Sequence, residues 1–335
     1  MYTYNGQILS LNGQWLSKKS YIPTSLIASG ASRDYIFEYN LETGDTYQNG
    51  IDDLRSMNAS FFEGCIYCGS DIYNDYHNGY SHVIKYELGG TINYIYNLGT
   101  GCKAVYGKPV INQNTGEIYV ADYRSDGAAK IHYKDAEGNW SVDYMTNART
   151  GRTGVWDIEN GYIFMILQSY SGTSYNAEIY RKQEGGTWEF VTRLDERFRE
   201  DAFQFFNGYL YIGLYNGELR KYDYDLNYIE TLHTFLNADG VAEDVRHLRR
   251  FFDTWVVSTN SGGVYILDGT TWRSIYIGGG MYCLSNISHN GYFYFGEANI
   301  GDAKIYKTDG NTYDLFWNIP SVGESTDNIN FINLV

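Results

Sequence analysis

The chain has 335 residues, a net charge of -15 and a mean hydropathy of -0.41. Hydrophobic residues make up 43% of it, which is enough for a packed core. No segment reaches the roughly 18 consecutive apolar residues that a membrane-spanning helix needs, so we expect no membrane span. An acidic chain repels phosphate backbones, and we therefore expect no nucleic-acid partner.

The first 19 residues differ from the rest of the chain. They contain two Asn-Gly pairs, Asn5-Gly6 and Asn12-Gly13, and this dipeptide is the strongest short-range signal for a β-hairpin. We predict a small hairpin-like β appendage over residues 1–19 and a second domain over residues 20–335. The beginning of the chain lacks the basic region and the apolar region of a secretory signal peptide, so we expect that these residues are not a secretory signal.

A two-part repeat occurs about seven times in residues 20–335. The first part is a Gly followed by a short apolar and aromatic run, as in residues 64–69 and 208–213. The second part follows about 15 to 20 residues later and centres on a Tyr beside a charged residue, as in residues 84–86 and 305–307. A repeat of this period that contains only strand signals predicts a β-propeller or a β-solenoid.

One repeat unit shows its four predicted strands clearly, over residues 248–252, 254–258, 264–267 and 272–277. Four antiparallel strands in about 45 residues are typical of a propeller blade. We therefore predict an all-β fold, a seven-bladed β-propeller, with six or eight blades as alternatives. The first unit lacks its first strand and the last segment, residues 330–335, has no unit of its own. This pattern predicts that the C-terminal strand closes the ring and removes an open sheet edge.

Few other features carry chemistry. Helical signal is limited to one expected turn over residues 195–203. Cys65 and Cys68 are three residues apart on a predicted strand, so their side chains should point to opposite faces and cannot share a metal ion without a bulge in the strand. No phosphate loop, zinc-protease motif or nucleophile elbow is present. We expect no metal, no cofactor and no enzymatic activity, although a catalytic carboxylate pair would leave no recognisable motif.

A binding surface is the better functional candidate. The predicted loops between the second and third strands of units two and four, residues 71–80 and 169–176, are long and rich in aromatic residues. Unit three lies between them, and loops between successive units add arginines. Aromatic rings stack on sugar rings while polar groups bind hydroxyls. The predicted ligand-binding residues are Tyr73, Tyr76, His77, Tyr80, Tyr123, Arg124, Arg152, Tyr170, Tyr175, Arg199 and Asp201.

Two resemblances add to this interpretation. The turn Glu137-Gly138-Asn139-Trp140 and its counterparts in other units are similar to the Asp-box turns of sialidase-like propellers, which are structural in that family. The leader Tyr4-Asn5-Gly6-Gln7-Ile8-Leu9-Ser10-Leu11-Asn12-Gly13-Gln14-Trp15-Leu16 resembles short leaders of bacteriophage tail and virion proteins. That resemblance implies an appendage that anchors the protein to a virion and a propeller that is a structural or receptor-binding knob.

Three functions follow as hypotheses. The first is a non-enzymatic phage virion or tail component that binds another virion protein or a host surface glycan. The second is a glycan-active hydrolase or lyase on a propeller scaffold. The third is an intracellular protein-interaction scaffold. The corresponding locations are the virion or the cytoplasm, and a homo-oligomer is compatible with any of the three.

Overall fold

The structure is a computed structural model. It describes the following residues: 3–4, 7–8, 10–11, 14–15, 25–30, 35–50, 54–72, 81–105, 107–124, 128–146, 150–157, 160–171, 174–194, 196–237, 239–251, 254–260, 263–277, 281–284, 288–298, 303–319 and 329–334. These residues form strands, turns and bends, and no helix occurs among them. In particular, the described part of the chain contains no helix that is long and apolar enough to cross a membrane.

Antiparallel strands form seven successive groups of four in the described residues, which we number as blades 1 to 7. Four short strands precede them: β1 (Thr3–Tyr4), β2 (Gln7–Ile8), β3 (Ser10–Leu11) and β4 (Gln14–Trp15). Blade 1 contains β5 (Ser25–Gly30), β6 (Tyr35–Asn40), β7 (Thr46–Gly50) and, from the far end of the chain, β34 (Ile329–Leu334). Blade 2 contains β8 (Leu54–Phe62), β9 (Cys65–Ile72), β10 (His82–Glu87) and β11 (Thr91–Asn97). Blade 3 follows the short strand β12 (Cys102–Ala104) and contains β13 (Val110–Ile111), β14 (Ile118–Ala121), β16 (Lys130–Lys134) and β17 (Trp140–Met145), with the short strand β15 (Tyr123–Arg124) inserted.

The remaining blades follow the same plan. Blade 4 contains β18 (Thr150–Asp157), β19 (Tyr162–Ser171), β20 (Ser174–Gln183) and β21 (Glu189–Leu194). Blade 5 contains β22 (Phe198–Phe206), β23 (Tyr209–Leu214), β24 (Glu218–Tyr222) and β25 (Tyr228–Thr234). Blade 6 contains β26 (Val245–Phe251), β27 (Thr254–Thr259), β28 (Gly263–Asp268) and β29 (Thr271–Ile277). Blade 7 contains β30 (Met281–Leu284), β31 (Phe293–Ala298), β32 (Ala303–Thr308) and β33 (Tyr313–Ile319).

The first strands of the blades contact one another in a closed cycle. The order of contact is β34, β8, β13, β18, β22, β26, β30 and back to β34. Strand β34 also pairs antiparallel with β5, so the C-terminal strand completes blade 1 as predicted. A closed cycle of four-stranded antiparallel sheets is a β-propeller. The predicted all-β propeller closed by its C-terminal strand is therefore confirmed.

The hydrophobic core is divided among the boundaries between blades. Seven clusters of buried apolar side chains occur in the described residues, and each is shared by two neighbouring blades. For example, Leu26 of blade 1 packs with Trp317 of blade 7, and Ala202 of blade 5 packs with Val257 of blade 6. Burying both faces of each sheet explains why the strand runs are apolar throughout rather than alternating.

The two cysteines of the Cys-x-x-Cys pair lie on opposite faces of β9, as predicted. Cys68 is completely buried in the cluster between blades 1 and 2, whereas Cys65 is half-buried against the cluster between blades 2 and 3. Burial raises the pKa of the Cys68 thiol to about 12. Both side chains therefore contribute to packing, each at a different boundary.

Two further predictions, for residues 195–203 and for residues 1–19, can be compared with the structure. Residues 195–203 were expected to form a helical turn, which is wrong, because β22 begins at Phe198 and continues the inner strand of blade 5. In residues 1–19, β1 pairs with β2 and β3 pairs with β4, so each predicted Asn-Gly turn lies between two paired strands. The Asn-Gly pairs themselves lie outside the described residues, and the division into an appendage and a second domain stays a prediction.

Candidate functional site

Two short strands join blades 2 and 4 into one continuous sheet, while the four strands of blade 3 form a sheet of their own. Strand β12 pairs with β9 of blade 2, β15 pairs with β12, and β15 also pairs with β18 of blade 4. The result is a sheet in which neighbouring strands are hydrogen-bonded in the order β11, β10, β9, β12, β15, β18, β19, β20 and β21. We call the part from β9 to β20 the bridged sheet.

A row of directly opposed residues crosses the bridged sheet. The row consists of Asp71, Ala104, Tyr123, Thr150, Gln168, Ala177 and, beyond the bridged sheet, Leu194 of β21. Because neighbouring strands are about 4.8 Å apart, the row is roughly 30 Å long measured along the sheet.

Several of the predicted ligand-binding residues lie on the bridged sheet. They are Tyr123 and Arg124 on β15, Arg152 on β18, Tyr170 on β19 and Tyr175 on β20. Four others, Tyr73, Tyr76, His77 and Tyr80, follow directly after β9 and lie outside the described residues. The structure thus brings the described residues of blades 3 and 4 together on neighbouring strands of one sheet.

The predicted long loop over residues 169–176 is instead a hairpin. Strand β19 continues to Ser171 and β20 begins at Ser174, so only two residues separate the paired strands. Tyr170 and Tyr175 are directly opposed in this hairpin. Paired aromatic positions near a two-residue turn form a more rigid element than a loop, because both strands have backbone hydrogen bonds.

Arg124 has a structural environment that the sequence did not reveal. Its side chain is buried, Nη1 donates to Asp122 Oδ2 at 3.3 Å, and Nη2 donates to the carbonyl oxygen of Thr100. The other oxygen of Asp122 accepts a hydrogen bond from the backbone N–H of Lys130 at 2.6 Å. Arg124 therefore connects β15 to the loop before β12. The other residue of this short strand, Tyr123, is half-buried.

The same carboxylate also anchors a buried histidine. His132 Nε2 lies 3.1 Å from Asp122 Oδ2, and His132 Nδ1 lies 3.3 Å from the hydroxyl of Tyr96. Tyr96 stacks on Trp140 with ring centroids 4.4 Å apart, and burial together with Asp122 raises the pKa of the Tyr96 hydroxyl. This polar chain links blades 2 and 3, and its hydrogen-bonding groups satisfy one another.

The remaining predicted residues lie on inner strands rather than in loops. Arg152 is in β18, while Arg199 and Asp201 are in β22, so their assignment to loops between blades was wrong. The reason is backbone irregularity: the pairing of β18 with β19 shifts at Arg152, and the pairing of β22 with β23 shifts between Phe198 and Phe203. Bulges of this kind contain polar residues that make a strand resemble a turn in the sequence.

Asp201 belongs to a buried ionic cluster formed by three blades. One carboxylate oxygen accepts from Arg249 Nη2 of blade 6, and the other lies 3.2 Å from Lys108 Nζ, just before β13 of blade 3. Arg249 Nη1 also donates to the backbone carbonyl oxygen of Asp201 at 3.2 Å. Blades 3 and 5 are not neighbours in the cycle, so the Lys108–Asp201 pair extends across the inside of the ring.

Burial and charge act in opposite directions on this cluster. Burial alone would raise the pKa of Asp201, but Arg249 and Lys108, with His247 nearby, hold it well below its usual range. Burial lowers the pKa of the Lys108 ammonium and Arg249 lowers it further, whereas Asp201 opposes that change. Asp201 is therefore ionised at neutral pH, as a carboxylate between two cations should be.

Sequence analysis missed Lys108 as a site residue and did not connect Arg249 with Asp201. Only Lys108-Pro109, where a cation precedes a proline at a blade boundary, offered a signal. No group of three or more His, Cys, Asp and Glu side chains within the described residues is arranged to hold a metal ion.

Comparisons with known proteins address the fold. No protein-family model matches the chain, and no curated protein matches its sequence. A solved structure from an analysis of two prolyl endopeptidases aligns with a TM-score of 0.62 and 11% identity, over 92% of this chain and 50% of that chain. A protein from Lactobacillus plantarum aligns with a TM-score of 0.57 and 11% identity, over 93% of this chain and 99% of that chain.

Other likenesses are weaker. A structure of a nidogen/laminin complex aligns with a TM-score of 0.49 and 11% identity, over 92% of this chain and 97% of that chain. At such identities the alignments concern the fold alone, and this chain spans only half of the prolyl endopeptidase chain. The fold is therefore shared along nearly the whole chain with proteins whose activities do not transfer to it.

Proposed function

We propose that this chain is a non-enzymatic binding module of a bacteriophage virion or tail, and that the bridged sheet is its binding surface. The ligand is either another virion protein or a glycan of the host surface. The observation that supports this proposal is the backbone pairing of β9, β12, β15 and β18, which joins blades 2 and 4 through two short strands into one sheet. The phage assignment depends on the resemblance of residues 4–16 to virion leaders.

The position of the tyrosines favours binding. Tyr170 and Tyr175 are opposed near the end of a hairpin, and residues 73–80, which contain three further tyrosines, follow the neighbouring end of β9. Tyrosine presents a large contact area and loses little conformational entropy on binding, which is why it is common in rigid recognition surfaces. The backbone hydrogen bonds between β19 and β20 reduce the ordering cost of binding further at Tyr170 and Tyr175.

The test uses purified chain and two substitutions, Tyr76→Ala and Tyr175→Ala. Binding is measured to immobilised virion proteins and to whole host cells, and thermal unfolding is measured in parallel. We expect each substitution to weaken binding at least about tenfold without moving the thermal midpoint. The matched control is Tyr228→Ala, which removes a tyrosine that is 57% exposed on the outer strand of blade 5.

The outcomes separate the three hypotheses. Unchanged binding by both variants would show that the bridged sheet is the wrong surface. Release of reducing ends from host polysaccharide, lost on substitution of one carboxylate, would replace binding by catalysis. A stable cellular partner together with absence from purified particles would indicate a protein-interaction scaffold instead of a virion component.

A further inference from the structure

The outer strand of blade 1, β7, differs from the outer strands of the other blades in its pairing. The outer strands are β7, β11, β17, β21, β25, β29 and β33, and each lies at the end of its sheet in the part of the chain that the structure describes. In blades 2 to 7 the register between the outer strand and its neighbour shifts, as it does at a β-bulge. Strand β7 pairs with β6 from Thr46 to Gly50 without a shift. Because bulges twist an edge away from further pairing, β7 lacks a protection that the other outer strands have.

Charge does not protect β7 either. Its five residues, Thr46–Gly50, include no charged side chain, whereas β17, β21, β25, β29 and β33 each contain at least one. Strand β11 is also uncharged, but its pairing with β10 has the register shift. Bulges and charged side chains are two of the devices that keep an edge strand from pairing with another chain, and β7 has neither of them.

The side chains of β7 stay outside the core. Thr46, Tyr47 and Gln48 are all exposed, Tyr47 to 46%, and none of these three packs against the core clusters of the described residues. Outer strands of other blades contribute large side chains to those clusters, such as Trp140 of β17 and Trp272 of β29. Since successive side chains of a strand point to opposite faces, both faces of β7 are accessible to a partner along with its edge.

The backbone hydrogen bonds at the start of β7 determine which of its groups face outward. The Asn40 N–H donates to the carbonyl oxygen of Asp45 at 2.8 Å, where β6 ends and β7 is about to begin. In an antiparallel ladder, hydrogen-bonded pairs alternate with pairs that are not hydrogen-bonded. With the continuous register, the second and fourth residues of β7 therefore bond to β6. The residues whose N–H and C=O groups point away from β6 are Thr46, Gln48 and Gly50.

From these observations we infer that β7 binds an extended, basic segment of a partner protein, which adds to blade 1 as a further strand. A polypeptide is the polymer whose alternating N–H and C=O groups match such an edge. The turn before β7 contains the exposed carboxylates Glu42 and Asp45, and the chain has a net charge of -15, so basic residues in the partner are favoured. A second copy of this chain would bring the same carboxylates and the same charge. This edge is separate from the bridged sheet, and the inference does not depend on the proposed function.

The experiment uses synthetic peptides as probes of the full chain. The first is a short peptide of alternating threonine and valine with lysines at both ends. The second has glutamates at its ends instead, and the third is the lysine-ended peptide with every backbone nitrogen methylated, so that it cannot donate to a strand. Binding is measured by fluorescence anisotropy, and hydrogen exchange is measured for the backbone amides of β7 and, for comparison, β17.

We expect the lysine-ended peptide to slow exchange of the three outward amides, at Thr46, Gln48 and Gly50. At a peptide concentration of about ten times Kd, exchange there should be about tenfold slower, while exchange in β17 should not change. The glutamate-ended peptide should bind about tenfold more weakly at low ionic strength, and the methylated peptide should not bind.

Two proline variants test the edge directly. Gln48→Pro removes the central outward N–H and leaves the N–H groups that bond to β6, so it should weaken binding of the lysine-ended peptide about tenfold or more. The matched control is Val142→Pro on β17, at a residue that is 46% exposed. The hydrogen bond from the Asp135 N–H to Asn139 and the pairing of Val142 with His132 place the Val142 N–H away from β16 by the same alternation. This variant should bind the peptide normally.

Four outcomes would overturn the inference. Equal binding of the methylated peptide would show that strand pairing is not the mode of recognition, and this comparison decides the question even if Gln48→Pro unfolds. Equal protection of β7 and β17 would show that blade 1 is not distinguished from the bulged edges. Equal binding of the two charged peptides would remove the basic partner. Protection of β7 that rises with chain concentration without any peptide would identify a second copy as the occupant instead.

Discussion

The Lys108 ammonium lies 3.2 Å from Asp201 Oδ1, although the two residues belong to blades that do not adjoin in the ring. The pair therefore connects blade 3 to blade 5 past blade 4, and Arg249 extends the connection to blade 6. A charged contact of this kind fixes the relative positions of three blades at the axis. Its removal tests how much the ring depends on it.

Substitution Asp201→Asn should be strongly destabilising at neutral pH. It leaves Lys108 and Arg249 in a buried position without a counter-charge, for which a loss of about 3–5 kcal/mol is expected. The measurement is the free energy of unfolding in urea. Asp225→Asn is the control, because Asp225 also pairs with an arginine, Arg181, but is 80% exposed, and it should cost less than about 0.5 kcal/mol.

The free energy of unfolding in acid should depend on the same carboxylate, that of Asp201. The pKa of Asp201 is lower in the folded chain than in the unfolded chain, where it is about 3.9. Its stabilising contribution is therefore complete above that pH and is lost as the pH falls towards the folded value. Between pH 5 and pH 3 the unaltered chain should lose more unfolding free energy than Asp201→Asn does. Parallel pH profiles of the two proteins would contradict this assignment.

Gly213, the second glycine of the repeat in blade 5, should not tolerate a side chain. A Cβ atom there would lie 2.2 Å from Val245 Cγ1 and 3.0 Å from Ala202 Cβ, at the boundary of blades 5 and 6. We expect Gly213→Ala to cost about 1–3 kcal/mol of unfolding free energy. The cost should be clearly smaller when measured in the background of Val245→Ala, and equal costs in both backgrounds would show that the clash is not the cause.

Ring closure should depend on the last strand. Deletion of residues 329–335 removes β34 and leaves the edge of β5 and the apolar faces of blades 2 and 7 without their neighbour. We expect the thermal midpoint to fall by about 10 °C or more. A synthetic peptide of residues 329–335 should raise it again. Deletion of residues 1–19 serves as the control and should leave the midpoint within about 2 °C of the original value.

The architecture was predictable because its signals are periodic. The repeat placed β9 and β23 correctly, and the four predicted strands of blade 6 agree with β26 to β29 to within three residues at each end. Strands such as β14, β23 and β27 are buried on both faces, so their apolar runs are easy to recognise. The missing first strand of blade 1 likewise identified β34 as its complement.

The candidate site was less predictable, for two physical reasons. Strands β12 and β15 have three and two residues, too few for any pattern, so the bridged sheet could not be predicted from the sequence. The polar run Arg199-Glu200-Asp201 resembles a turn, yet it forms a bulge in β22 whose carboxylate is held by partners far away in the chain. Contacts of that kind follow from the closure of the ring and leave no local signal.

Because of the short strands β12 and β15, resistance to mechanical force should differ between the blade boundaries of the ring. From β11 to β21 the backbone hydrogen bonds continue without interruption from blade 2 to blade 4 through β12 and β15, and β22 and β26 add a paired contact between blades 5 and 6. At the other boundaries the described residues show packing of apolar side chains instead. A pulling force applied at the Tyr170–Tyr175 hairpin would therefore be resisted by many strands in shear, and the propeller should part first at a boundary that lacks backbone pairing.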